Sequence, residues 1–352
     1  MKKLFVFLGI VFMAIGSAAS AQEVESTVPM QKSSWGDAKT SEFADYIPEI
    51  SLDMRGGYRA GTGYGSGRFT GDDLNIDING YISPNFSYSF NHRIASSYYG
   101  EASGFDATNW LTLTYEIGDF AFTAGKDALL MGSFEYDAYD LDAYYEMNSA
   151  FYNMFDCWQW GVSAAWYPSE THEFILQVAN SPFSYGVPEM FSYAAAWRSY
   201  LDWYESYWSV NLWQYGPGEY VKSINLGNRF CLGNFTVDLD LMTRATEFKG
   251  LFNNDITVSL APAYEFGEWG RLFAKVGYDK MDENLGFEDY DGGNIFYGAG
   301  FEYFPLKENK DIRLHAAYTH NDFMVGDLVS IGLTWKMNLT KGIRKIFGAT
   351  ED

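Results

Sequence analysis

The chain has 352 residues, with 46 acidic against 24 basic side chains and a formal charge of -22; that balance excludes nucleic acid and an anionic membrane surface as partners. Aromatic residues make up 19% of the chain, glycine is plentiful, and mean hydropathy is only -0.21, the mixture that half-polar strands and aromatic girdles produce. Beyond residue 21 no stretch has the ~18 consecutive apolar residues of a membrane helix, so a spanning structure would have to be a closed β-barrel, whose strands satisfy every backbone group in hydrocarbon.

In chain order, Lys2 and Lys3, the apolar run 4–15 and the small-residue end Ala19-Ser20-Ala21 predict a secretory signal peptide over residues 1–21. Gln22 would begin the mature chain. No cysteine stands at the cut to carry a lipid anchor. Residues 22–48 are polar and aperiodic, and read as an N-terminal periplasmic segment rather than a pore plug.

From residue 50 onward, large apolar residues alternate with small or polar ones in segment after segment. The predicted strands are 50–59, 73–82, 86–95, 109–117, 120–126, 157–167, 173–179, 193–201, 206–214, 220–232, 235–243, 255–266, 271–279, 294–304, 312–321 and 328–338. That is about 16, an even number suited to a single-chain bacterial barrel. Short turns such as Ser83-Pro84-Asn85, Gly118-Asp119 and Gly233-Asn234 alternate with longer links, among them 60–72, 127–156 and 215–219. With short links periplasmic and long ones extracellular, both termini fall in the periplasm. The expected fold is therefore all-β: a transmembrane antiparallel β-barrel over residues 49–338 with a long third extracellular loop and a C-terminal periplasmic tail at 339–352.

Phase within the strands sorts the two faces. Leu74, Ile76 and Ile78 point one way and Asn75, Asp77 and Asn79 the other; Val329, Ile331, Leu333 and Trp335 likewise oppose Ser330, Gly332, Thr334 and Lys336. The lumen-facing charges predicted this way are Asp77, Glu116, Glu173, Asp238, Asp240, Asp279 and Glu302 against Arg93, Arg198, Arg229, Lys275, Arg313 and Lys336. They nearly cancel. The excess of acid therefore falls to the loops and the N-terminal segment.

The longest link, 127–156, has no period of two and holds Glu135, Tyr136, Asp137, Tyr139, Asp140, Asp142, Tyr144, Tyr145 and Glu146. It is the candidate for folding inward and narrowing the pore, against the alternative of a solvated surface loop. Its acids do not have the spacing of an EF-hand. A barrel of ~16 strands leaves an aqueous channel unless something plugs it. The wall charges could instead pair and fill a closed lumen.

Other chemistry is thinly represented. His92, His172, His315 and His320 are scattered without metal-ligand spacing. His92, phased outward near the rim, is where a barrel phospholipase would place one, although a girdle histidine is the stronger reading. The run Gly61 to Gly67 lacks the Lys-Ser/Thr ending of a phosphate loop. Cys157 and Cys231 fall at opposite barrel ends and are expected to stay unpaired. No cofactor and no metal is expected.

The run Trp110 to Tyr115, then Gly118-Asp119-Phe120, Ala124-Gly125-Lys126-Asp127, the long loop and Trp160-Gly161-Val162-Ser163-Ala164 resembles the phosphate-selective porin O and P family. The resemblance implies a 16-stranded, usually trimeric porin with an inward-folding third loop, whose anion selectivity depends on a lumenal ladder of arginine and lysine. In this sequence the basic wall residues are isolated and matched by acids. The expected function is that of a porin in the outer membrane of a Gram-negative bacterium, surrounded by outer-membrane lipid and passing small hydrophilic solutes or ions without anion selectivity. Two alternatives stand beside it: a non-conducting barrel acting as a binding or assembly partner in an envelope complex, and a barrel enzyme such as a phospholipase.

Overall fold

Strands that alternate by two must bury one edge of side chains, and pairing them around a full circle leaves no edge unpaired. In the computed structural model, which describes residues 47–62, 67–96, 104–137, 147–154, 156–184, 189–281, 292–306, 310–323 and 326–340, the strands make one closed barrel. They are β1 (Glu49–Gly61), β2 (Arg68–Ser83), β3 (Phe86–Ser96), β4 (Thr108–Ile117), β5 (Phe120–Ala128), β6 (Trp158–Ser169), β7 (His172–Asn180) and β8 (Phe191–Leu201). Continuing round are β9 (Tyr204–Gly216), β10 (Glu219–Leu232), β11 (Phe235–Ala245), β12 (Asp255–Glu265), β13 (Gly270–Met281), β14 (Gly292–Tyr303), β15 (Ile312–Asn321) and β16 (Gly326–Asn338). Each pairs antiparallel with its sequence neighbour, and β1 closes on β16 with Ser51 opposite Asn338. Thr340 ties the seam: the Ile50 amide donates to its Oγ1 at 2.7 Å, and that hydroxyl donates to the Pro48 carbonyl at 3.0 Å.

Burial is inverted relative to a water-soluble body. Asn75, Asn91, Asn225, Thr257, Asn294 and Asn321 are wholly buried on the lumen side, while Leu176, Val162, Val210 and Ile331 stand more than half exposed on the outside. A side chain of that size gains roughly 1.5–3 kcal/mol on leaving water, so the outer belt is stable only against lipid. This is a transmembrane barrel.

Aromatic rings gather at both ends of the belt, where an amphipathic ring suits the interface. At the short-turn end, Phe86 meets Tyr115 at 4.6 Å, Tyr204 meets Phe230 at 5.5 Å and Phe266 meets Trp269 at 5.3 Å between centroids. Tyr58 and Phe69 at 5.4 Å, with Phe105 and Trp160 at 5.5 Å, mark the other end.

Two links differ from expectation. The stretch 215–219 is a two-residue turn at Pro217-Gly218, because β9 runs on to Gly216 and β10 starts at Glu219, so the strict alternation of short and long links fails there. The first long link also contracts, since β2 begins at Arg68. Cys157 lies at the base of the long loop and Cys231 at the short-turn end of β10, and the two are not joined by a disulfide.

Candidate functional site

The third long loop leaves β5 and crosses into the lumen. At its base the Leu129 amide donates to the Cys157 carbonyl at 2.8 Å, and Gln177 on β7 grips it from both sides of the amide: Nε2 donates to the Ala128 carbonyl at 2.9 Å and Oε1 accepts from the Leu130 amide at 3.0 Å. Farther in, a short helix α1 (Phe134–Asp137) points its N-terminal amides at β11: Phe134 donates to Asp240 Oδ1 at 3.0 Å and Glu135 to Oδ2 at 3.1 Å. An anion belongs at unsatisfied amides of this kind.

The returning limb is held by β13. Lys275 Nζ donates to Glu135 Oε1 at 2.6 Å and to Asn148 Oδ1 at 2.8 Å, and the other Glu135 oxygen accepts from Ser149 Oγ at 2.6 Å. Asp279 Oδ2 accepts from the Ala150 amide, at the start of α2 (Ala150–Met154), at 2.8 Å; its Oδ1 accepts from Thr257 Oγ1 at 2.6 Å. On β15, Asn321 donates to the Asn148 carbonyl at 2.8 Å.

Apolar contacts complete the seat. Phe151 is fully buried, with the Arg244 guanidinium 3.9 Å above its ring and Trp213 at 6.0 Å; Leu129, Met131, Phe183, Val221 and Met281 surround it. Two wall glycines make room. A Cβ on Gly298 would come within 2.4 Å of Met147 Sδ, and one on Gly227 within 3.0 Å of Ser133 Cα. The path of the loop is thus encoded in the wall as well as in the loop itself.

Glu135, Tyr136 and Asp137 all lie on α1. Glu135 meets Lys275; Tyr136 packs on Phe151 and Tyr152 at 6.2 and 4.9 Å; Asp137 meets Arg198 at 2.9 Å. Tyr139, Asp140, Asp142, Tyr144, Tyr145 and Glu146 lie outside the described residues.

On the wall, Arg229 lies 2.7 Å from Asp238 and 3.5 Å from Glu205, with its guanidinium 4.2 Å over the Phe134 ring. Arg313 and Arg271 flank Glu302 at 3.7 and 3.9 Å. Glu173 accepts from the Tyr200 hydroxyl at 3.3 Å, Asp77 accepts from Asn91 at 2.8 Å, and Arg93 donates to the Asp106 carbonyl at 2.9 Å. Glu116 is half-buried on β4, away from the loop contacts, and Lys336 stands opposite Asp53 across the seam. The structure therefore brings Arg198, Arg229, Asp240, Lys275 and Asp279 to the loop and leaves the others on the wall.

Sequence phasing missed a second charged group. The register slips between Arg55 and Gly56, and Arg55, Arg59, Asp72 and Asp73 all end up buried. Arg59 is 3.0 Å and Arg55 3.7 Å from Asp72, and Arg55 is 3.2 Å from Asp73. The Gly56-Gly57 pair and the Asp72-Asp73 doublet, which break the alternation, were the available signal. Arg244 and Asp255 were missed because they sit at strand ends, where period is weakest. Among the described residues no group of three His, Cys, Asp or Glu could hold a metal ion.

No family model and no curated protein matches the chain. Solved structures do match. A mutant of the porin of Rh. blastica superposes with a TM-score of 0.56 at 11% identity, over 83% of this chain and 100% of that one. A loop-deletion form of OmpT, an outer membrane protein of Vibrio cholerae, gives 0.56 at 14% identity over 82% and 99%, and OmpT in its trimer form gives 0.55 at 11% over the same shares. The barrel resembles the known outer-membrane porins. At these identities the likeness is one of fold, and the side chains of the lumen have to be read for themselves.

Proposed function

We propose that this barrel resides in the outer membrane of a Gram-negative bacterium and passes small hydrophilic solutes or ions by passive diffusion, with the 127–156 loop as its constriction. The observation that carries the reading is the set of contacts from Asp240, Lys275 and Asp279 to the loop, which hold it at the β11–β13 side of the lumen. Short turns would face the periplasm. Residues 1–21 would be removed as a signal peptide, with 22–48 and 339–352 as periplasmic segments. A homotrimer, the form in which OmpT has been solved, is the assembly we propose, to be read from its mass in detergent.

Anion selectivity is not part of the proposal. The phosphate-selective porins that the sequence resembles need free basic residues in a row, whereas Arg55, Arg59, Arg198, Arg229 and Arg313 each lie against a carboxylate. A field of paired charges orders water without favouring one sign. The acidic loop tilts the balance toward cations.

A second reading, a non-conducting barrel that serves as a binding or assembly partner, draws on the tight burial of Asn75, Asn225, Asp279 and Asn294 and on the apolar cluster around Phe151 and Trp213. A barrel enzyme has less support: His92 Nδ1 lies 3.1 Å from Thr108 Oγ1, a hydroxyl rather than a carboxylate.

Planar-bilayer recording separates the readings. The folded protein is expected to give steady open-channel current in KCl, with a reversal potential biased toward cations that shrinks in the Asp137→Asn, Asp140→Asn, Asp142→Asn triple variant. Silence after verified folding would favour the partner role, and an anion-biased reversal potential would refute the selectivity.

A further inference from the structure

The loop is seated against β7, β11, β13 and β15, which leaves the wall from which it departs, β4 to β6, facing the rest of the lumen. That wall has a distinct composition. Thr123 on β5 is paired in register with Ser163 on β6, Gly125 with Gly161, and Asp127 with Gln159. All six are only partly buried, unlike most of the lumen face. Two glycines between two hydroxyl residues and a carboxylate-amide pair form a shallow trough with a floor of backbone.

Trp110 flanks the trough from β4. Its indole N–H donates to Ser89 Oγ at 2.7 Å and its ring meets Trp158 at 5.5 Å between centroids, so the indole is fixed in place. The polar groups retain bonding capacity: Asp127 Oδ1 accepts from the Ala128 amide at 2.8 Å, and Gln159 Nε2 donates to Asp156, which leaves a carboxylate oxygen and an amide oxygen for a ligand. Among the described residues, no lumen-facing side chain of β4, β5 or β6 is basic, and its acids Glu116 and Asp127 stand at opposite ends.

We infer that this strip is a binding track for neutral polyhydroxylated solutes of the sugar class, with Trp110 stacking on the C–H face of a ring and Asp127, Gln159, Thr123 and Ser163 meeting its hydroxyls. An indole face beside planar amide and carboxylate acceptors is complementary to a pyranose, which has an apolar face and an equatorial rim of hydroxyls. The nearby bases are already engaged, Arg198, whose charge reaches Asp127, with Asp137 at 2.9 Å and Lys126 with the Phe105 carbonyl at 2.7 Å, so the strip is poorly suited to an anion, and with its carboxylates apart it offers no cation cage. The inference rests on the porin reading and refines it by naming a solute class.

The test is current block by maltotriose in planar bilayers, with the full-length folded protein in KCl. Maltotriose is expected to reduce the open-channel current in a saturable way. Trp110→Ala and Gln159→Ala should each raise the half-blocking concentration about tenfold, the equivalent of ~1.4 kcal/mol, with unitary conductance largely kept. Trp110→Phe, which preserves an aromatic face, should recover most of the block and so guards against a folding artefact. A KCl current that maltotriose does not block, or block unaltered in both alanine variants, overturns the track while leaving the pore intact. Absence of any KCl current overturns both.

Discussion

Replacing Asp240 and Asp279 together with alanine is expected to raise single-channel conductance several-fold. These two carboxylates hold the outgoing and returning limbs of the loop, Asp240 through the Phe134 and Glu135 amides and Asp279 through that of Ala150. Both residues are essentially buried, at 2% and 0% exposure. A hydrogen bond to a charged group contributes roughly 1.5–3 kcal/mol, so losing three of them removes a large share of the polar anchoring and leaves the loop to the Gln177, Lys275 and Asn321 bonds and the apolar seat around Phe151. With its limbs released, the loop would move off its seat and widen the path. Asp240→Asn with Asp279→Asn keeps an acceptor oxygen at each site and should give a smaller rise. Bilayer recordings of the two double variants beside the parent provide the comparison, and a conductance unchanged in the alanine variant would show that the loop does not limit flow.

Lys275→Met carries the largest expected loss of stability. The Glu135 side chain is fully buried and receives the ammonium of Lys275 at 2.6 Å along with two donors from Ser149. Removing one partner of a buried pair leaves an uncompensated charge, at a cost of about 3–5 kcal/mol. The expected result is a clear fall in the unfolding temperature in detergent, together with faster proteolytic cleavage between residues 137 and 147. Adding Glu135→Gln removes the stranded charge while keeping acceptor and donor for Ser149, and should restore most of the loss. If the single variant is as stable as the parent, the Glu135 to Lys275 pair is not what holds the returning limb.

Much of the barrel was legible in the chain because a period of two is a local property. Leu74 to Asn79 or Val329 to Lys336 declare both faces without knowledge of their neighbours, and the turn residues declare the ends, so the strand number and fold class could be read directly. What alternation cannot report is a shift of phase. The slip beside Gly56 brings Arg55, Arg59, Asp72 and Asp73 into one buried group, and a second irregularity between Asn91 and His92 places Asn109 within reach of Asn91, to which it donates at 2.7 Å. A bulge inserts one residue into one strand only, and the signal is cancelled where it matters.

The loop was harder still. Its composition marked it as unlike a strand, but its partners lie far off in sequence: Glu135 and Lys275 are separated by 140 positions, Asn148 and Asn321 by 173. Nothing local in either stretch announces the other. The inward glycines Gly227 and Gly298 were visible as letters but not as vacancies, since only the arrival of Ser133 and Met147 gives the missing side chains a purpose.

If the loop lies within the proposed conducting path, Asp137, beside Arg198 at 2.9 Å, stands at its edge. The most direct measurement is thiol modification of Asp137→Cys in a Cys157→Ser, Cys231→Ser background, followed as single-channel current while a bulky methanethiosulfonate reagent is added. A stepwise, reductant-reversible fall in current is expected. Current that stays unchanged after mass spectrometry has confirmed modification at position 137 would contradict it.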